Sequence, residues 1–262
     1  MGNIVNKRGS QDLLDKLGWC LIVFLAFVGL AGSAAHLLDG SLRIGDLHGY
    51  RETNEKVYGT AFTPHWYAFR RIPLMRFAHM APGAIWMVFA PLQFVTRIRQ
   101  RAPRFHRWVG RMAVAMSVIL IPSGIVFAAL HPFANAFEEL APICFFTLIY
   151  LVAVSLGVKN ARQRNYKAHR EWMIRAFSIG LGISSVRLWF VFFLHTTQVQ
   201  AERFFATAFW LAFGLNLIVA EVWIYRTRGL VRAPAVRPVP VSEPPAILHG
   251  VALDWTSQES QQ

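Results

Sequence analysis

Charge is scarce in this chain. Only 16% of its 262 residues are Asp, Glu, Lys or Arg, where a soluble domain carries about a quarter. Acidic residues are the scarcer sign, 14 against 27 Lys and Arg. Cysteine is nearly absent. Cys20 and Cys144 each lie inside an apolar run, and no Cys-x-x-Cys occurs, which argues against a zinc ribbon, a Cys-ligated iron–sulfur cluster and covalent haem attachment. On the topology derived below, the two cysteines sit near opposite faces of a membrane, too far apart for a disulfide. Also missing are Gly-x-Ser-x-Gly, the P-loop, His-Glu-x-x-His and the dinucleotide fingerprint. The common signatures of serine hydrolases, nucleotide hydrolases, zinc proteases and dinucleotide-dependent enzymes are therefore not here.

Apolar residues are abundant instead. They make up 55% of the chain, with 14% aromatic and a mean hydropathy of +0.37. They gather into runs of roughly 20 residues, the length that crosses a hydrocarbon core of about 30 Å. The expected fold is all-α, an integral membrane bundle of six transmembrane helices, with the lipid bilayer as its first partner. The formal net charge of +13 belongs to short loops between the runs, where Arg and Lys set topology. No nucleic-acid partner is implied.

The runs cover residues 17–38, 73–95, 108–130, 141–158, 172–195 and 204–225. Residues 1–16 form a polar N-terminal segment. The end of the first run, Ala31 to Ala35, has small residues like those at a signal-peptidase site, but the run is long for a signal and an uncleaved helix is expected. Residues 39–72 form a long aromatic loop, 73–195 a core of four helices, and 196–225 a short loop and the sixth span. The tail from residue 226 to 262 is rich in Pro, Val, Ser and Gln and reads as disordered. Pro82-Gly83 and Pro122-Ser123-Gly124 mark two expected kinks, because proline removes a donor and clashes one turn back. Residues 96–107 and 159–170 hold five Lys or Arg each, whereas 131–140 hold none. Positive-inside then places both termini and both basic loops in the cytoplasm and the 39–72 loop outside.

The most informative stretch is His169 to Trp189. It opens on His-Arg, places Trp172 at the expected boundary, and carries Arg187 deep in an apolar run. A charge there needs a partner, a wet cavity or a function. Glu138, Glu139, Glu202 or an anionic ligand are its candidate partners. The opening is echoed by His106-Arg-Trp, which also enters an apolar run. Each follows a basic turn between two runs, a pattern like a parallel repeat of two hairpins. Gly180 and Gly182 read as sites of close helix packing.

Nine histidines are many for such a chain. His106 and His169 fall at the cytoplasmic ends of spans three and five. His36, His79, His131 and His195 fall at or just inside the outer ends. His106 to His131 spans 25 residues, roughly 37 Å of helix, so most of these histidines stand at the bilayer edges. One reading is a b-type haem, which takes one axial imidazole from each side. His79, His106 and His169 are the candidate iron ligands. His106 with His169 would form an inner pair, and His79 with His131 or His195 an outer one. Arg76, Arg111, Arg175 and Arg187 are then candidate partners for the propionates, since guanidinium meets carboxylate in a fork. The other reading is plainer: His, Arg and Trp at a membrane boundary are ordinary interfacial residues, and His79 with Arg76 on one helical face looks into the bundle.

These pieces together resemble a known family. The His79 helix ending in Pro91-Leu-Gln-Phe94, then His106-Arg-Trp-Val-Gly-Arg111, His169-Arg-Glu-Trp-Met-Ile-Arg175 and Val186-Arg-Leu-Trp189 resemble the prokaryotic membrane family catalogued as domain of unknown function 2306, over residues 77–190. The resemblance implies a polytopic bundle without naming a reaction. A weaker similarity is to membrane di-haem cytochromes of the ascorbate-reducible type, whose ligands lie on four central helices. Here the fourth run has no histidine. The expected activity is electron transfer in a bacterial inner membrane, by a protein holding haem b and meeting a quinone or a membrane redox partner. The alternative is a cofactor-free transporter or accessory subunit, with His79, Arg76 and Arg187 lining a polar path.

Overall fold

The chain's computed structural model describes residues 2–42 and 73–228, apart from 134, 198 and 200. The side chains of Arg76 and Glu202, the 39–72 loop beyond Leu42 and the tail beyond 228 lie outside the described residues. All regular structure among those described is helical: α1 (Gly2–Leu42), α2 (Pro73–Phe89), a 3₁₀ turn (Pro91–Phe94), α3 (Thr96–Arg101), α4 (Pro103–Leu130), α5 (Ala136–Arg162), α6 (Tyr166–Gly180), α7 (Gly182–Thr196) and α8 (Ala201–Thr227). Backbone groups in hydrocarbon must bond within their own segment, and helices do this.

Among the described residues, five stretches are long and apolar enough to cross a membrane: Asp15–Ala34, Pro103–Leu130, Ala136–Arg162, Tyr166–Thr196 and Arg203–Thr227. They display large apolar side chains outward. Phe27, Val118 and Leu148 are 67%, 68% and 63% exposed, a surface suited to lipid and not to water. The remaining expected span is shorter. α2 has 17 helical residues, about 25 Å at helical rise, and then tightens into the 3₁₀ turn at Pro91. Pro82 and Pro122 both lie within continuous helices.

The hairpins expected from the sequence are present. α2 packs on α4, and α5 packs on α6. α1 lies along α2 and α7, and α8 along α6, α7 and α5. One core cluster joins four helices through Leu25, Trp86, Met87, Ala113, Phe177 and Leu181. A second joins α5 and α6 through Phe146, Tyr150, Ala176 and Ile179.

Three local features differ from the expected layout. α1 is helical well beyond the 17–38 run at both ends, and Ala31 to Ala35 lie within it. The basic 96–107 connection contains the short helix α3. The fifth run is divided at Leu181, which separates α6 from α7. Glycines flank the division. A Cβ on Gly180 would stand within van der Waals overlap of the Trp86 indole, and one on Gly182 would overlap the Phe213 ring. Both glycines therefore serve close packing, α6 against α2 and α7 against α8. Asn216 of α8 spans the break: its amide donates to the Ser178 carbonyl at 3.1 Å, and its Oδ1 accepts from Ser185 Oγ at 3.0 Å.

Candidate functional site

The candidate residues fall into two layers, one at the arginine-rich end of the bundle and one toward the opposite end. At the basic end, His106 stands in the first turn of α4 and His169 in the first turn of α6. Their helices belong to different hairpins, as an axial pair requires. His169, Arg99 and Arg107 are the charged neighbours that act on His106. The His169 ring is fixed: its Nδ1 lies 2.8 Å from the Gly157 carbonyl oxygen. A carbonyl only accepts, so Nδ1 carries a proton, and in the neutral ring Nε2 keeps its lone pair. Metal-bound histidines are oriented in this way, through the ring nitrogen that does not ligate.

Three buried polar atoms in this layer lack a hydrogen-bond partner among the described residues: Gln93 Nε2, His106 Nδ1 and Arg170 Nη1. Buried polar groups are nearly always satisfied, so each of these three atoms has hydrogen-bonding capacity still to fill. Gln93 is brought in by the 3₁₀ turn, and its Oε1 lies 3.0 Å from where Gly110 would carry a Cβ. Gly110 is one turn past His106 on the same face of α4. Arg170 donates through Nη2 to Thr227 Oγ1 at 2.8 Å, which leaves Nη1 free to meet an anion. Gln93 and Arg170 were not among the sequence candidates. Each belongs to a family-like piece, but spacing alone did not distinguish them from ordinary interfacial residues.

The histidines of the opposite layer each make contacts of their own. His79 bonds through Nδ1 to Ser123 Oγ at 3.1 Å, and Ser123 gives its own proton to the Leu120 carbonyl. The imidazole is therefore the donor, and the contact is a hydrogen bond from α2 to α4. The ring rests on Gly124. His131 caps α4 two turns further on, against Phe127 with ring centres 5.6 Å apart. Eight residues separate Ser123 from His131, about 12 Å along the helix. His195 is exposed and bonds the Val191 carbonyl of its own helix.

The arginines sort equally clearly. Arg111 is exposed on α4 and points away from the His106 face. Arg175 is engaged: it forks onto Glu221 of α8 at 2.5 and 2.9 Å and lies over the Trp172 ring at 4.7 Å. Neither is a free partner for a propionate. Arg187 enters the bundle, yet neither Glu138 nor Glu139 pairs with it. Glu138 is exposed, and the buried Glu139 accepts the Phe133 backbone N–H. A further buried polar contact escaped sequence reading: Ser117 donates to the Ala113 carbonyl, so Tyr150 donates to Ser117 at 2.6 Å. An open groove of about 510 Å³ between α4 and α5, lined by Val114, Val154 and Val158 with Lys159 and Arg162 at its rim, contains none of the candidate residues.

A family model described as "Predicted membrane protein (DUF2306)" matches residues 76–224, more than half of the chain. The chain belongs to this family. The match runs from α2 through nearly all of α8, so the DUF2306 region takes in the last span as well as the four-helix core, and α1 lies before it. No curated protein and no solved structure matches the chain. Membership establishes a membrane-embedded helical protein in contact with the bilayer, the same class that the apolar outer surface requires.

Proposed function

We propose that this DUF2306 protein is an electron-transfer protein of the bacterial inner membrane, crossing it six times with both termini in the cytoplasm and holding one b-type haem between His106 and His169. The observation that carries this reading is the fixed His169 ring, Nδ1–H on the Gly157 carbonyl and Nε2 free, beside a half-buried His106 from another hairpin. The residues fit the group. Two imidazoles come from two helices, Arg99 and Arg107 act on His106, and Arg170, with Glu171 and Asp15 nearby, keeps Nη1 without a hydrogen-bond partner among the described residues. Haem, when bound, supplies a one-electron carrier. The chain supplies the rest: Gly157 orients His169, the arginines balance propionate charge, and Gln93 offers a donor at the same level. A quinone or another membrane redox protein is the electron partner of this reading.

The test is a reduced-minus-oxidised absorption spectrum of detergent-purified protein made with an adequate haem supply. Sharp α and Soret bands are expected, lost in His106→Ala and His169→Ala and kept in His131→Ala and His195→Ala. Well-folded protein without near-stoichiometric haem overturns the reading. A second reading, a cofactor-free transporter or accessory subunit, is favoured by one observation, the unpartnered Arg187 within the span.

A further inference from the structure

α7 runs alongside α1 in parallel register. Ser184 sits against Gly29, and Arg187, one turn on, sits against Gly32. A methyl group on Gly32 would stand 2.6 Å from Arg187 Nε and 2.7 Å from its Cζ. Gly32 thus makes room for the guanidinium, and Gly29 for Ser184 and Met87. Ser33, the next residue of α1, faces Gly83 of α2, with its Oγ 3.9 Å from where that glycine would carry a Cβ. His79 is one turn away from Gly83 on α2. Three helices therefore place Ser33, Ser184, Arg187 and His79 within about two helical turns of one another along the bundle.

Arg187 Nη1 is buried there with no hydrogen-bond partner among the described residues, and no charged side chain among them acts on the guanidinium. Ser184 has only the thioether of Met87 as acceptor, at 3.9 Å, a weak contact that leaves its hydroxyl available. A cation inside a span without a counter-charge is costly, and such residues pair or mark a ligand path. Arginine is also the side chain suited to forked recognition of a planar anion. The missing charge is single, and the atom that seeks it is closed off from the surface.

We propose that Arg187 anchors a binding site for a compact monovalent anion, a small carboxylate or an inorganic monoanion, inside the bundle between α1, α2 and α7. The site is separate from the histidine pair at the basic end, and a colourless protein leaves it standing. The anion completes the guanidinium's hydrogen bonds through Nη1, with Ser184 as the second donor.

The test is thermal unfolding of the full chain in detergent at constant ionic strength, with gluconate replaced stepwise by chloride or by acetate. The wild-type midpoint is expected to rise and saturate. A response to acetate alone identifies a carboxylate site, and a response to both identifies a general monoanion site. Arg187→Met should lose the response, and its anion-free midpoint should match or exceed that of the wild type, because the unpaired charge is gone. Arg187→Lys, which keeps the charge but not the fork, should respond at roughly tenfold higher concentration. Gly32→Ala, which displaces the guanidinium without altering charge, should weaken the response too, and these two variants carry the test if Arg187→Met does not fold. Arg226→Gln, an exposed change at the end of α8, should respond as the wild type does. A flat wild-type titration, or a saturable response that survives in Arg187→Met or disappears in Arg226→Gln, overturns the proposal.

Discussion

Arg175 of α6 and Glu221 of α8 meet in a two-point ion pair, Nε to Oε1 at 2.5 Å and Nη2 to Oε2 at 2.9 Å. The fork ties the two helices together and removes Arg175 from any role toward a ligand. Glu221 is 48% exposed, so solvent screens the pair. Glu221→Gln should cost about 0.5–1 kcal/mol. A double-mutant cycle with Arg175→Gln, read by thermal unfolding in detergent, should return a coupling of that size, and a coupling near zero would mean that the fork does not bind the helices.

The approach of α6 to α2 depends on Gly180. The Trp86 indole occupies the space that a side chain would need, and it stacks on Phe177 with ring centres 5.6 Å apart. Gly180→Ala should therefore destabilise by about 1–3 kcal/mol through overpacking. Adding Trp86→Leu should recover part of that loss. Additive losses in the double variant would show that the two sites do not touch.

Hydropathy made the bundle legible. The run ending at residue 130 is the end of α4, and the two basic turns and hairpin pairs fall where charge placed them. Depth along a helix was legible too: His79 lies six residues past the start of α2 at Pro73. Azimuth was not. The spacing of Arg111 and His195 gave their height but not that both face outward, because a histidine or arginine at a boundary is equally at home on either side. Contacts between distant helices were equally hidden. Nothing in the spacing of α8 told that Glu221 serves Arg175. The break at Leu181 was masked for a different reason: apolar character continues across it, and the glycines that permit it also fit an unbroken, tightly packed helix.

The turn between α5 and α6 offers a prediction about the backbone. Arg164 has φ 60°, in the left-handed region that favours glycine. Its N–H donates to the Ala161 carbonyl and the Asn165 N–H to that of Asn160, the paired closure of a Schellman turn. Asn165 then caps α6 by accepting the Ala168 N–H. Arg164→Gly should raise stability by about 0.5–1 kcal/mol, since relief of the strained φ outweighs the added chain entropy. A lowered midpoint would mean that the arginine side chain holds the turn.

Asn216 supplies both a donor and an acceptor across the break. Asn216→Leu, similar in bulk, should cost about 0.6–1.7 kcal/mol, the range of interhelical polar contacts in membranes. Asn216→Asp keeps the acceptor for Ser185 and loses the donor for Ser178. Hydrogen exchange around Gly182 should quicken in both variants if Asn216 steadies the junction, and stay unchanged if it does not.

The contact between Gly32 and Arg187 also sets an order of events during synthesis. α1 leaves the ribosome about 150 residues before Arg187 does, roughly 10–30 s at ordinary elongation rates of about 5–20 residues per second. When the arginine-bearing segment reaches the bilayer, its seat is already there. A chain made without α1 would expose that guanidinium to lipid at the moment of insertion, so the first helix would act as an internal chaperone for the helix that carries it. Supplying α1 as a separate polypeptide should restore membrane integration of a chain beginning at α2, and α1 carrying Gly32→Leu should not.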